Sequence, residues 1–437
     1  MIRHISHHTP GHTLRECPDC GLFQAVPPLS ASAEASCLRC DKVLRRTRPN
    51  SNSRALALTL ASLALYLIAV WSPFLSVDIL GQQRETTMIS LPTAFVADGA
   101  WELGLVVLVT TIIMPVCKIA IVLVVLLGLH VANPPRWLPG LFRWYQHIGP
   151  WAMVEVFLLG VFVAFTRLGA IATVQIGTAL YALGALILTM VTADCLIDRQ
   201  AVWEDMEERG LVSGGGATSL AGPLIGCENC GLLNEAQSGA HCIRCGTTLH
   251  RRRPNSIART WALLGTAALF YLPANIYPVL TITQLGTATP STILGGAKEL
   301  LEAGMWPLAL LVFVASVLVP GMKLAGLTFM LVEIHLRSPW RLHDRTQLYR
   351  IIEFIGRWSM IDVFMLATLV GLVRSGEIAS IDPGLGAICF ATVVVLTMFA
   401  ALCFDPRLMW DAVERHAPRP ERQALPPQRT PLPGEPA

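Results

Sequence analysis

Residues 305–335 read MWPLALLVFVASVLVPGMKLAGLTFMLVEIH. The stretch is apolar and long enough to cross a bilayer, yet Pro320 and Lys323 stand near its middle. A lysine at that depth costs on the order of 3 kcal/mol even on a lenient insertion scale, so it must be paired or functional. The same pattern occurs at Trp101 to His130, around Pro115 and Lys118. Pro115 and Pro320, Lys118 and Lys323, and His130 and His335 are each 205 positions apart. One membrane unit is therefore written twice, with an intramembrane cation in each copy.

Working outward, three further pairs of apolar stretches complete the repeat. First spans are expected at about Leu56 to Leu80 and Trp261 to Leu285, broken at Ser72-Pro73-Phe74 and at Pro273 and Pro278. Third spans, about Gly149 to Phe165 and Gly356 to Val373, share the phrases Trp151-Ala152-Met153-Val154-Glu155-Val156-Phe157 and Trp358-Ser359-Met360-Ile361-Asp362-Val363-Phe364. Fourth spans run from about Ile171 to Ile197 and Ile378 to Phe404. Short extended structure is expected at Val77–Gly81 and Thr281–Gly286, on the far side of the membrane. Proline breaks at matching places in two halves recur in transporters, where freed backbone lines a cavity or is buried in protein. Over 437 residues the chain is 53% hydrophobic and only 14% charged, with mean hydropathy +0.54, which excludes an ordinary soluble domain. No apolar signal segment precedes the first span.

Eight of the twelve cysteines form four C-x-x-C pairs in polar segments. Cys17, Cys20, Cys37 and Cys40 precede the first unit; Cys227, Cys230, Cys242 and Cys245 precede the second. Two such knuckles close together can give four thiolates to one tetrahedral zinc. Four thiolates leave no open position for water, so two structural Zn2+ ions are expected rather than catalytic ones. Cys117, Cys195, Cys389 and Cys403 read as core residues of the spans. The N-terminal His4, His7, His8 and His12 read as a polar tail.

Each expected ribbon leads into a basic bridge, Arg45-Arg46-Thr47-Arg48 and Arg251-Arg252-Arg253. Arginines beside a span mark the cytoplasmic side and favour anionic headgroups over nucleic acid. With both ribbons cytoplasmic, Arg136, Arg143, Arg337, Arg341, Arg345, Arg350 and the tail from Arg407 also fall in cytoplasmic loops. The far side carries few basic residues, chiefly Arg84, Arg167, Lys298 and Arg374. The two halves are then parallel repeats. The expected fold is an all-α polytopic membrane protein: two parallel repeats of four transmembrane helices, each preceded by a small cytoplasmic zinc ribbon. The divisions are a tail (1–16), ribbon 1 (17–48), repeat 1 (49–200), a linker (201–226), ribbon 2 (227–252), repeat 2 (253–410) and a disordered tail (411–437).

Each half holds one intramembrane cation, Lys118 or Lys323, and one anion, Glu155 or Asp362, and pairing them within the half lowers their cost. Ser359 and Asp362 share a helix face, as do Ser316 and Lys323. Thr189 and Thr397 are further polar candidates, and Asp194 lies nearer the cytoplasmic end. A static pair would glue helices together. A relay would couple the membrane potential to movement, since buried lysine and carboxylate groups can shed their charge. If Glu155 and Asp362 lie at the interface instead, they are hydrated and ordinary.

Two C-x-x-C ribbons, two four-span units, the R-P-N-S bridges and the W-x-M-x-[ED]-V-F phrase together resemble the paraquat-inducible protein A family over nearly the whole chain. The resemblance implies an inner-membrane protein of Gram-negative bacteria. It also implies a periplasm-spanning MCE-domain tunnel protein as partner, and a role in moving lipids between the membranes and keeping the envelope intact. The family's polar membrane network maps onto Lys323, Asp362, Ser316, Ser359 and Thr397. No Walker A loop is present to supply energy. A non-enzymatic lipid-transport subunit is the leading expectation. A zinc scaffold for the partner and a C-x-x-C redox protein are the alternatives.

Overall fold

The computed structural model describes residues 13–30, 33–48, 51–79, 82–97, 99–168, 173–217, 222–284, 287–373 and 379–414. The four N-terminal histidines, most of the expected C-terminal tail and the starts expected at Ile171 and Ile378 lie outside these. The first cysteine module is two hairpins, β1 (Thr13–Glu16) with β2 (Phe23–Val26) and β3 (Glu34–Ser36) with β4 (Val43–Arg46). There follow α1 (Ser51–Trp71), β5 (Leu75–Ile79), β6 (Gln82–Thr86), α2 (Ser90–Ala97), α3 (Trp101–Val107), α4 (Met114–His130), α5 (Leu138–Ile148), α6 (Val154–Leu168), β7 (Thr173–Ile176), α7 (Thr178–Leu196) and α8 (Arg199–Glu208). The second half repeats the order. After β8 (Leu224–Gly226) and β9 (Leu233–Glu235) come α9 (Ser256–Ile276), β10 (Leu280–Gln284), β11 (Thr287–Ser291), α10 (Ile293–Glu302), α11 (Trp306–Phe313), α12 (Val319–Leu336), α13 (Leu342–Ile355), α14 (Ile361–Val373), β12 (Ala379–Pro383), α15 (Leu385–Cys403) and α16 (Arg407–Glu414).

Seven helical stretches among the described residues are long and apolar enough to cross a membrane, and they include Trp101–His130, Leu138–Leu168, Trp306–Leu336 and Leu342–Leu372. The eighth expected span falls in α9, which Arg259, Tyr271, Pro273 and Asn275 keep out of that set. Leu269, Leu272 and Ile276 of α9 are nonetheless exposed apolar side chains. Where the first spans were expected to continue to Leu80 and Leu285, the chain turns extended, because Pro73 and Pro278 cannot donate to a further helical turn. At the end of the spans away from the cysteine modules, each half forms an antiparallel three-stranded sheet, ordered β6-β5-β7 and β11-β10-β12.

Pro115 and Pro320 do not break their helices. Each follows a π-helical stretch, Leu108–Ile113 or Val314–Leu318, that joins the helix before it to the helix after it. A proline leaves carbonyls of the preceding turn without their usual N–H partner, and another helix must then satisfy them. Tyr66 Oη donates to the Thr111 and Ile112 carbonyls at 3.2 and 3.0 Å, and Tyr271 Oη donates to the Val317 carbonyl at 3.2 Å. The two tyrosines are again 205 positions apart.

The third spans are longer than expected, 31 residues each. At 1.5 Å per residue that is about 46 Å, half again the ~30 Å hydrocarbon thickness. The excess is α5 and α13, which occupy the stretches of Arg143, Arg345 and Arg350 that were expected to be loops. Within the largest hydrophobic core α6 and α14 pack together, and Phe157 meets Phe364 edge to face at 5.7 Å.

The cysteine modules are exchanged between the halves. The first packs on the second half, with Trp410 of α16 and Leu342 of α13 against Cys17, Cys20, Cys37 and Cys40. The second packs on the first half, with Phe142, Tyr145, Trp203 and Met206 in its core. α8 lies in the expected linker, and α16 carries helix into the first residues of the expected tail.

Candidate functional site

The C-x-x-C pairs fold as tight knuckles. The residue after each second cysteine, Gly21, Asp41, Gly231 or Gly246, has φ between 58° and 71° and donates its N–H to the first cysteine's carbonyl at 2.9–3.0 Å. Glycine or aspartate suits this left-handed position. The turn aims both thiols inward. All four Sγ atoms of each set lie within 4.8 Å of one another. The Sγ separations are 3.5 Å for Cys17–Cys40 and Cys20–Cys37, 3.4 Å for Cys227–Cys245 and 3.6 Å for Cys230–Cys242. Sulfurs at ~2.3 Å from a tetrahedral zinc stand ~3.8 Å apart, so both sets fit such an ion. All eight are free thiols. Of the four cysteines read as core, Cys389 is buried and Cys195 is exposed.

Arginine–carboxylate pairs fasten the modules to each other and to the spans. Arg407, 2% exposed, bonds Asp405 at 2.9 Å, Glu16 at 3.4 Å and Glu228. Arg252 bonds Glu16 at 3.1 Å and Asp411 at 2.7 Å. Arg350 of α13 reaches Asp19 at 2.7 Å and Cys40 Sγ at 3.3 Å. Burial pushes the Asp405 carboxyl up, but the hydrogen bonds and charge of Arg407 outweigh it and leave the group below its ordinary range. Glu16 goes the other way: burial outweighs Arg407 and raises it.

The intramembrane charges do not pair as expected. In the first half Lys118 Nζ meets Asp194 Oδ2 at 2.5 Å, and Tyr145 Oη donates to Asp194 Oδ1 at 2.9 Å. Glu155 is not its partner. It is partly exposed and faces Arg357 of the other half at 3.6 Å. Nearby, Ser62 Oγ donates to Thr189 Oγ1 at 3.0 Å. Lys118 is therefore a compensated charge at the edge of the bundle.

Lys323 is different. It is 2% exposed, and its Nζ donates to Ser359 Oγ at 3.3 Å and Thr397 Oγ1 at 3.2 Å. Those hydroxyls donate in turn to the Gly356 and Val394 carbonyls at 2.8 and 2.9 Å, which leaves their lone pairs to accept from the lysine. Among the described residues no ion pair joins Lys323 to Asp362 or to another carboxylate. The contrast is written in the sequence: Asp194 follows Thr189 by five positions, and Leu402 follows Thr397 by five. Asp362 is 6% exposed, its Oδ1 has no hydrogen-bond partner, and Ser316 is within reach of the carboxyl. The cation whose charge reaches Asp362 is Arg167 of α6, a residue expected in a far-side loop. Sequence reasoning also missed Gly356. A methyl there would stand 2.6 Å from Lys323 Cε, so the glycine makes the space the lysine occupies.

Comparisons with known proteins agree over nearly the whole chain. The family model described as Paraquat-inducible protein A matches residues 53–207 and 257–414. The chain is 35% identical over 412 residues to the protein named Intermembrane transport protein PqiA of Escherichia coli (strain K12), covering 93% of this chain and 97% of that protein. It is 29% identical over 414 residues to the protein named Lipophilic envelope-spanning tunnel protein A of the same strain, covering 94% and 95%. These relatives are named for transport or as a tunnel, in keeping with a non-enzymatic role. No solved structure matches the chain.

Proposed function

This chain belongs to the paraquat-inducible protein A family, and from that premise we propose that it is the inner-membrane subunit of a lipid-transport system. In this reading it works with a periplasm-spanning MCE-domain tunnel protein to move lipids between the inner and outer membranes. The names of its relatives support movement between membranes. The observation that carries the mechanism is the contrast between Lys118, matched with a carboxylate, and Lys323, buried among hydroxyls with none. A buried cation without a counter-ion is costly and is kept where it functions. Lys323, Ser359 and Thr397, with Asp362 and Ser316 on neighbouring turns, form a relay that couples the proton-motive force to movement of the second half. Lys118, Asp194 and Tyr145 brace the first half, and Glu155 with Arg357 joins the two.

Both cysteine modules and both termini face the cytoplasm. The basic residues concentrated at that end and the free thiols support this orientation. Each set of four thiolates holds one Zn2+, which supplies a rigid crosslink and no reaction chemistry. Each half, cysteine module plus four spans, is one copy of a parallel repeat.

The test is envelope protection in cells that depend on this protein, with Lys323→Ala and Asp362→Asn. Normal expression and normal co-purification of the tunnel partner, with protection against detergent lost, is the expected result. Normal protection by both variants would reduce the polar cluster to structural glue.

A further inference from the structure

Between the two cysteine modules lies a cavity of about 440 Å³, large beside the ~30 Å³ of a liquid water. Its walls come from the first hairpin of one module, the basic bridge after it, the junction of α7 with α8, and the first knuckle of the other module. Six arginines line it: Arg15, Arg45, Arg46, Arg48, Arg199 and Arg407. The three carboxylates in the wall are already committed. Glu16 holds Arg252, Arg407 and the Gly226 N–H. Asp198 caps α8 by accepting from the Gln200 and Ala201 N–H groups at 3.0 and 3.2 Å. Glu228 pairs with Arg253 and Arg407.

The arginines are not all paired with carboxylates. Arg45 and Arg46 pair with Glu204 and Glu34. Among the described residues Arg15, Arg48 and Arg199 have no carboxylate at ion-pair distance. Arg15 is 8% exposed; it donates to Gln200 Oε1 at 2.8 Å and to the Leu44 carbonyl at 3.4 Å, and its Nε has no partner. Asn229, 6% exposed, has neither its amide nitrogen nor its amide oxygen bonded. Buried donors of this kind call for an acceptor. In the other basic bridge Arg252 and Arg253 are taken up by Asp411, Glu16 and Glu228. Because Cys195, Leu196 and Ile197 in the wall end a membrane-crossing helix, the cavity sits where a headgroup could enter.

We infer that this cavity binds a phosphate-class anion, held by Arg15, Arg48 and Arg199 with the Asn229 amide as a neutral donor. Guanidinium forks match phosphate oxygens two at a time. The anion comes from an acidic phospholipid headgroup or from a soluble phosphate. The inference stands apart from the transport reading, since it concerns binding alone.

Cys195 is exposed in the cavity wall and serves as the reporter. The full chain in nanodiscs is alkylated with a neutral maleimide, and modification of Cys195 is followed by peptide mass spectrometry. The baseline is phosphatidylcholine with chloride at matched ionic strength. With the anion at roughly ten times its dissociation constant, labelling slows about tenfold. Slowing by phosphatidylglycerol alone assigns the headgroup as source; slowing by inorganic phosphate in phosphatidylcholine assigns the soluble anion. In either case Arg48→Gln/Arg199→Gln, at positions outside the buried core, restores the baseline rate. Failure of both anions to slow labelling, or equal slowing in the double variant, overturns the inference.

Discussion

Gly356→Ala alters the setting of Lys323 without touching a charge. Gly356 sits at φ −55°, ψ −29°, where alanine is unstrained. Its new methyl would stand 2.6 Å from Lys323 Cε and 3.3 Å from Nζ, whereas carbon atoms rest ~3.5–4.0 Å apart. The lysine must retreat by about 1 Å. Its hydrogen bonds, 3.3 and 3.2 Å, are already near the long limit, so that shift breaks at least one of them. Overpacking costs ~1–3 kcal/mol, and alanine returns ~0.4–1 kcal/mol through the unfolded chain. The net cost, about 0–2.5 kcal/mol by those figures, should leave a folded, expressed protein with a slightly lower Tm. Envelope protection should nevertheless fall to the level of Lys323→Ala. The control is Gly149→Ala, the matching position of the first half, where nothing beyond the glycine's own chain neighbours lies within 4 Å of the added methyl; alanine before Pro150 in this helical conformation costs some stability, but protection should stay at the wild-type level. If Gly356→Ala protects as well as Gly149→Ala, the exact seat of Lys323 is irrelevant and the reasoning is wrong.

Other outcomes follow from the cytoplasmic end. Cys17→Ser and Cys242→Ser should each lower the yield of folded protein and remove one of two zinc ions per chain by elemental analysis; normal yield with two ions would contradict the clusters. Trp410→Ala should cost ~3–5 kcal/mol and loosen the first module. The ring is buried against the cysteines, its Nε1 donates to Thr346 Oγ1 at 3.1 Å, and Arg39 lies 4.2 Å over it. Faster proteolysis within residues 13–48 is the readout, and an unchanged cleavage pattern would refute it. Asp405→Asn should cost ~3–5 kcal/mol at neutral pH by leaving Arg407 buried and underpaired. Because Asp405 titrates below its ordinary value when folded, its contribution is complete above about pH 4 and is lost as pH falls further. The Tm gap between wild type and variant should therefore be constant at neutral pH and shrink in acid. A gap that widens in acid would reverse the assignment.

The duplication, the cysteine sets and the spans were legible in the sequence because each depends on spacing along the chain: 205 positions between lysines, three between paired thiols, a full apolar stretch per span. The charge partners were not, because they depend on which helix lies beside which. Lys118 and Glu155 share a half, yet Lys118 finds Asp194 and Glu155 finds Arg357 of the other half. One clue lay in the repeat itself, where Leu402 replaces the counter-ion supplied by Asp194. The exchange of the cysteine modules had no local signal. Nothing in the sequence marks Arg350 of α13, Trp410 of α16 or Phe142 of α5 as packing against the other half's thiols.

The most direct test of the account is gradient-dependent lipid transfer. Donor vesicles would carry the full chain with its tunnel partner, acceptor vesicles would be separate, and transfer of a fluorescent phospholipid would be followed with and without an imposed proton gradient. The account predicts net transfer that requires the gradient and is abolished by a protonophore and by Asp362→Asn. Transfer at the same rate without a gradient, or undiminished in Asp362→Asn, would contradict a relay through Lys323 and Asp362.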